Sequence, residues 1–144
     1  MTDRNVKPFT LDQYRGRPVV LIFYLGKGCT HCMEQLNAFD PLAAEFEKKG
    51  ITLLAVSTDT AQGLRDTFIG YDAKDRPFNF PLLSDPSLDT FRKYRAYDDF
   101  EQTPLHGTFL IDQTGKIRWQ EISHEPFMAP KFLLEESTRL LALP

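Results

Sequence analysis

The sequence predicts an α/β fold: a central mixed β-sheet with helices on both faces. Three observations carry this. Val19–Tyr24, Ile51–Val56 and Gly107–Asp112 are short apolar runs rich in β-branched and aromatic residues, as buried strands require. Segments of helical periodicity separate them. The order β-α-β-α-(β)-α-β-β-α combines parallel crossovers with one terminal hairpin, and such a sheet needs helices over both of its faces.

The elements follow in order. Residues 1–18 are polar and punctuated by proline, with Val6–Leu11 read as a short strand and Tyr14–Pro18 as a turn. After the Val19–Tyr24 strand comes a glycine-punctuated turn, and Cys29 to Lys49 reads as a helix. Met33, Leu36, Phe39, Ala43 and Phe46 recur there at steps of three and four, and Gly50 closes it. Pro41 is expected to kink this helix, or to restart it with Asp40 as the cap. Ser57–Thr60 caps a helix over Ala61–Gly70, a polar loop covers 71–76, and Phe80–Ser84 is a short strand or extended turn. Asp85-Pro86 should open a helix running to about Tyr94, with Pro86 in its first turn. Tyr97–Thr103 reads as an acidic loop. Gln113-Thr-Gly115 turns the Gly107–Asp112 strand back into Lys116–Glu121. Ser123–Phe127 links to a final amphipathic helix over Pro130–Leu141. Trp119, His124 and Phe127 are expected to cover the lower core.

Length and composition set bounds on function. The chain has 144 residues, the size of one ordinary domain, and twelve of them are Phe. A net charge of −3 gives no basic face for nucleic acid. No apolar run approaches the roughly 20 residues of a membrane span. Neither nucleic acid nor membrane is expected as a partner, and no leader is visible at the N-terminus.

The chemistry points to Cys29-Thr-His-Cys32, which holds both cysteines of the chain. Two cysteines this close cannot staple a small secreted domain. At a helix N-terminus, unpaired N–H groups and a partial positive charge stabilise a thiolate. One helical turn apart, the two thiols can close a disulfide on each other. A zinc site would need two more ligands, and His106 and His124 do not form an H-x3–5-H pair, so no metal is expected. Haem attachment would need His where Met33 stands. Two inert core cysteines are the plainer alternative. His31, between the cysteines, would stabilise a thiolate when protonated, or be an ordinary solvent-facing residue. Lys27 would add positive potential, although a surface lysine is the simpler reading.

Several stretches resemble the alkyl hydroperoxide reductase/thiol-specific antioxidant family, the peroxiredoxin-like redoxins of thioredoxin-like fold. Phe23-Tyr-Leu-Gly-Lys-Gly-Cys29-Thr-His-Cys32 is similar to the dithiol run of such proteins. Leu54–Ser57 is similar to the strand after the active-site helix, Phe80-Pro-Leu-Leu-Ser-Asp85 to a characteristic family stretch, and Gly107–Asp112 to its Thr-Phe strand. The similarity covers about residues 6 to 122. The resemblance implies an oxidoreductase with antioxidant activity and a redox-active disulfide, without a cofactor.

The departures from the family pattern shape the expected function. Leu25 stands at the family's proline position, Cys29 at its threonine, Cys32 at its peroxidatic cysteine and His106 at its arginine. In the family, threonine and arginine hold the peroxide. Thioredoxins place a cis-proline at the position of His106, a tryptophan at that of Gly28 and a buried acid at that of Ile22. Pro104 comes two residues too early for that proline.

The candidate catalytic residues are therefore Cys29, Cys32, His31 and His106, the last as a donor or proton shuttle near the sulfur, with a backbone-satisfied loop histidine as the plainer reading. The thioredoxin analogy makes Cys29 the nucleophile and Cys32 the resolving thiol; the peroxiredoxin analogy reverses them. The first function expected is thiol–disulfide exchange led by Cys29. The second is a thiol-dependent peroxidase led by Cys32, and the third a redoxin-fold accessory domain without catalysis. Partners would be a protein disulfide or dithiol, such as a thioredoxin-like reductant, or a peroxide, and a homodimer is allowed. Residues 1–144 read as one redoxin domain whose first family strand is missing. Excision from a longer protein, or a natural chain with a shortened N-terminus, would explain this, the former being preferred, and the compartment stays open: cytoplasmic for a complete chain, extracytoplasmic for a fragment.

Overall fold

The computed structural model describes residues 1–26, 28–70 and 78–143. The expected roles of Lys27 and of the polar loop over 71–76 lie outside the described residues. In chain order the elements are β1 (Val19–Tyr24), α1 (Thr30–Phe39), α2 (Ala43–Lys48), β2 (Thr52–Ser57), α3 (Ala61–Gly70), β3 (Leu82–Ser84) and α4 (Asp89–Lys93). Then come β4 (Tyr97–Asp98), β5 (Thr103–Pro104), β6 (His106–Ile111), β7 (Ile117–Ser123) and α5 (Pro130–Leu141).

The main sheet has the order β3-β2-β1-β6-β7. β1, β2 and β3 run parallel, and β6 and β7 are antiparallel to their neighbours, giving the expected mixed sheet. β1 lies at the centre, and all six of its residues are buried. Its side chains alternate strictly between two cores, as the two-residue period of a strand dictates. Val20, Ile22 and Tyr24 pack with Leu36, Phe39, Phe46, Leu64 and Leu133, so α1, α2, α3 and α5 cover that face. Val19, Leu21 and Phe23 pack with Phe91 and Phe109, and here α4 and the N-terminal residues Phe9, Leu11 and Tyr14 form the cover.

Pro41 breaks the long helix as expected, with a single 3-10 turn over Asp40–Leu42 between α1 and α2. Asp40 does not cap the restart. Its carboxylate instead accepts the backbone N–H of Asn79 at 2.6 Å.

Four further expectations need correction. Val6–Leu11 is not a strand: Val6 takes a positive φ of 63°, Pro8 makes only an isolated bridge to Thr2, and a 3-10 turn occupies Leu11–Tyr14. Thr2 also bridges Ser84, which covers the outer edge of β3. The helix after Asp85 starts only at Asp89, because Leu88 adopts a left-handed φ of 65°. Asp85 still caps it, at a distance, by accepting from the N–H groups of Thr90 and Phe91 at 2.9 and 3.1 Å. Tyr97–Thr103 holds the small β4–β5 hairpin rather than a plain loop. His124 covers no core: it is exposed beside Asp98, whereas Trp119 packs edge-on against Phe127 with ring centres 5.1 Å apart.

Candidate active site

The site forms where β1 empties into α1, at the carboxyl end of a central strand, as open α/β sheets arrange their sites. Gly26 takes φ +139°, and a Cβ there would meet the Asp59 carboxylate at 2.8 Å, so only glycine lets the chain turn this tightly. Hydroxyls brace the neighbouring strand ends: Thr58 donates to the Leu25 carbonyl at 2.5 Å and Ser84 to the Asp59 carbonyl at 2.5 Å. The start of the turn that carries the cysteines is therefore tied to the segment just after β2, and that segment to β3.

Cys29 is the N-cap of α1. Its backbone is extended, and its sulfur accepts the N–H of Cys32 at 3.3 Å, as a serine or threonine cap would. Cys29 and Cys32 are joined as a disulfide, with Cα atoms 5.2 Å apart. The pair is asymmetric: Cys29 is half-buried, while Cys32 is 0% exposed and belongs to the core.

Polar groups converge on Cys32. The Leu25 N–H donates to its sulfur at 3.4 Å, and His106 Nε2 lies 3.9 Å from it. His106 arrives from the far side of the sequence because β6 runs antiparallel to β1. With Phe23 opposite Gly107, the start of β6 lies beside the end of β1. The backbone-satisfied reading of His106 is not what forms: the residue is 5% exposed, and its Nδ1 finds no hydrogen-bond partner among the described residues. Burial lowers the pKa of His106 below its ordinary 6.5, with the Glu125 charge opposing and His31 adding to the shift. A neutral imidazole therefore faces the sulfur at neutral pH.

His31 lies at the solvent-exposed rim. Its side chain is 72% exposed and approaches Glu34 at 3.3 Å. The fold thus brings together three of the four expected residues, Cys29, Cys32 and His106, and leaves His31 at the rim.

One contributor, and one buried polar neighbour of the site, escaped the sequence reading. The Leu25 amide is a backbone group, which no residue type announces. Gln35, one turn beyond Cys32, is fully buried and donates to Thr108 Oγ1 at 3.4 Å. Its signal was a polar residue inside the apolar stripe of α1.

The chain matches the AhpC/TSA family over residues 1–120. It is 33% identical over 120 residues to peroxiredoxin TSA1 of Saccharomyces cerevisiae, covering 81% of this chain and 61% of that protein. It is 29% identical over 147 residues to a thioredoxin peroxidase of Echinococcus granulosus, covering 98% and 72%. Among solved structures, peroxiredoxin Q of Xanthomonas campestris superposes with a TM-score of 0.83 at 20% identity, over 96% of this chain and 88% of that one. The last likeness bears out the expected thioredoxin-like architecture. The chain belongs to the AhpC/TSA family.

Proposed function

From that family membership, we propose that the chain acts as one redoxin domain, a thiol–disulfide oxidoreductase cycling between the Cys29–Cys32 disulfide and the dithiol. The asymmetry of the pair carries the reading: a half-buried sulfur at the helix N-terminus lies over a sealed one. The Cys29 thiolate attacks one sulfur of a partner disulfide, forms a mixed disulfide and expels a partner thiolate. Cys32, as thiolate, then attacks the Cys29 sulfur, closes the intramolecular disulfide and releases the second partner thiolate. The partner gains two electrons and two protons, and an external dithiol of thioredoxin-like kind returns them to the chain. His106 Nε2, 3.9 Å from Cys32, is placed to take the Cys32 proton before that second attack.

A thiol peroxidase is the second reading, supported by the Leu25 N–H and the His106 imidazole, which converge on Cys32 rather than Cys29. The names of the relatives, the Echinococcus thioredoxin peroxidase among them, support it as well. Here the Cys32 thiolate attacks a peroxide oxygen, the O–O bond breaks, and the leaving oxygen departs as water or alcohol after protonation. The resulting Cys32 sulfenic acid condenses with the Cys29 thiol, releasing water and giving the same disulfide. Exchange ranks first because Cys29 and His106 occupy the family's peroxide-holding positions, and because Cys32 is fully enclosed.

Cys29→Ser and Cys32→Ser, assayed in parallel against a protein disulfide and hydrogen peroxide, separate the readings. Exchange requires that Cys29→Ser lose insulin reduction and that Cys32→Ser accumulate a mixed disulfide. Rapid sulfenic-acid formation at Cys32 in Cys29→Ser, with no insulin reduction by the unmodified chain, would hand first place to the peroxidase.

A further inference from the structure

The pairing of His106 with the dithiol has a chemistry apart from electron transfer. Cys29, Cys32 and His106 each offer one ligand atom, and all three atoms lie within 4.8 Å of one another. The expectation of no metal rests on ligands close in sequence, whereas the third donor comes from another strand, 74 residues beyond Cys32.

We propose that the reduced chain binds one copper(I) ion in a three-coordinate site made by the two thiolates and His106 Nε2. Two thiolates and an imidazole are a soft donor set, which suits copper(I). Bonds of about 2.0–2.3 Å in a trigonal centre separate the donors by roughly 3.5–4 Å. The 3.9 Å between Cys32 Sγ and His106 Nε2 already meets that spacing. Opening the disulfide lets the two sulfurs move apart to a similar distance by side-chain rotation alone.

Enclosure argues for copper(I) over zinc. Structural zinc takes four protein ligands, and zinc held by three, Cys2His sets included, needs a water in the fourth position, to which Cys32 and His106, 0% and 5% exposed, leave little access. Among the described residues no fourth His, Cys, Asp or Glu joins the group. A copper(I) dithiolate carries a net charge of −1, and that charge would lie at the N-terminus of the ten-residue helix α1, under the Leu25 N–H. Copper occupancy and the disulfide exclude each other, because each uses both sulfurs.

The test is an anaerobic titration of the fully reduced chain with copper(I) against a chromophoric copper(I) chelator. One ion per chain is expected, with none bound by the disulfide form. Cys32→Ser should abolish the competition. His106→Ala should weaken it at least tenfold, and His124→Ala, which changes an exposed histidine, should leave it unaltered. X-ray absorption of the loaded chain should show two sulfur neighbours and one nitrogen. Stoichiometric copper(I) should also slow alkylation of the thiols at least tenfold. A His106→Ala variant that folds, by circular dichroism, and binds as tightly as the parent overturns the proposal. So does displacement of copper(I) by equimolar zinc, or an absorption spectrum with sulfur neighbours alone.

Discussion

The two ends of β6 treat a buried ionisable residue in opposite ways. At its start, His106 is enclosed with one ring nitrogen unpartnered among the described residues and the other facing a sulfur at 3.9 Å. Just past its end, Asp112 is 7% exposed and fully engaged. It accepts from the Thr114 N–H and hydroxyl at 2.9 and 2.6 Å, from the Lys116 N–H at 3.0 Å, and from Arg118. Burial alone would raise the Asp112 pKa, but these hydrogen bonds outweigh it and bring the group down from 3.8 to about 2. Six residues apart, one group is fully hydrogen-bonded and the other keeps one ring nitrogen without a partner among the described residues. An unpaired buried polar group costs free energy, and at His106 that cost is borne at the mouth of a redox pair.

The largest expected effect of breaking this contrast lies at the satisfied end. Asp112→Ala removes a charged acceptor shared by several donors and should cost about 3 kcal/mol in urea unfolding, with thiol reactivity per folded molecule unchanged. A loss below about 0.5 kcal/mol would mean that the network is ornamental. The same residue sets an acid limb. Because its folded pKa is depressed, its contribution is present above about pH 3.8 and is lost as pH falls towards 2. Acid titration of stability should show that limb in the parent and a flattened one in Asp112→Asn.

At the other end the expected sign is reversed. His106→Gln should slow the Cys32 attack that resolves the mixed disulfide about tenfold, while stability shifts by less than about 1 kcal/mol. The folded pKa of His106 is also depressed, so its share of stability is present above pH 6.5 and declines as pH falls below that value. The substitution should remove this decline. A large stability loss with unchanged reactivity would make His106 a structural residue like Asp112. The smallest effect is expected at the rim: His31→Ala should alter the reduction potential by no more than about a twofold change in equilibrium constant, as an exposed pair with Glu34 allows. A tenfold change would promote His31 into the site.

Much of this was legible in the chain because it rests on periodicity. β1 announces itself as six consecutive apolar residues, and α5 matches its expected Pro130–Leu141 bounds, set by Pro130 at its start and by its amphipathic pattern. What failed depends on single backbone torsions. Leu88 at φ 65° delays α4 and Val6 at φ 63° spoils a strand, yet neither is a residue type that advertises a left-handed conformation. The site divides in the same way. Cys29 and Cys32 are visible from their spacing, and His106 from its place two residues before Thr108 in a family-like stretch. The approach of the Leu25 amide and of His106 Nε2 to the Cys32 sulfur exists only once β1 and β6 are paired.

The 3-10 turn at Asp40–Leu42 has a mechanical consequence. β1 is clamped by neighbours on both edges and by cores on both faces. Beyond Phe39 the helical hydrogen-bond ladder is interrupted, so displacement of α1 is not passed rigidly into α2. The two sulfur atoms thus ride on a helix of only ten residues, set between a strand packed on both faces and a proline joint.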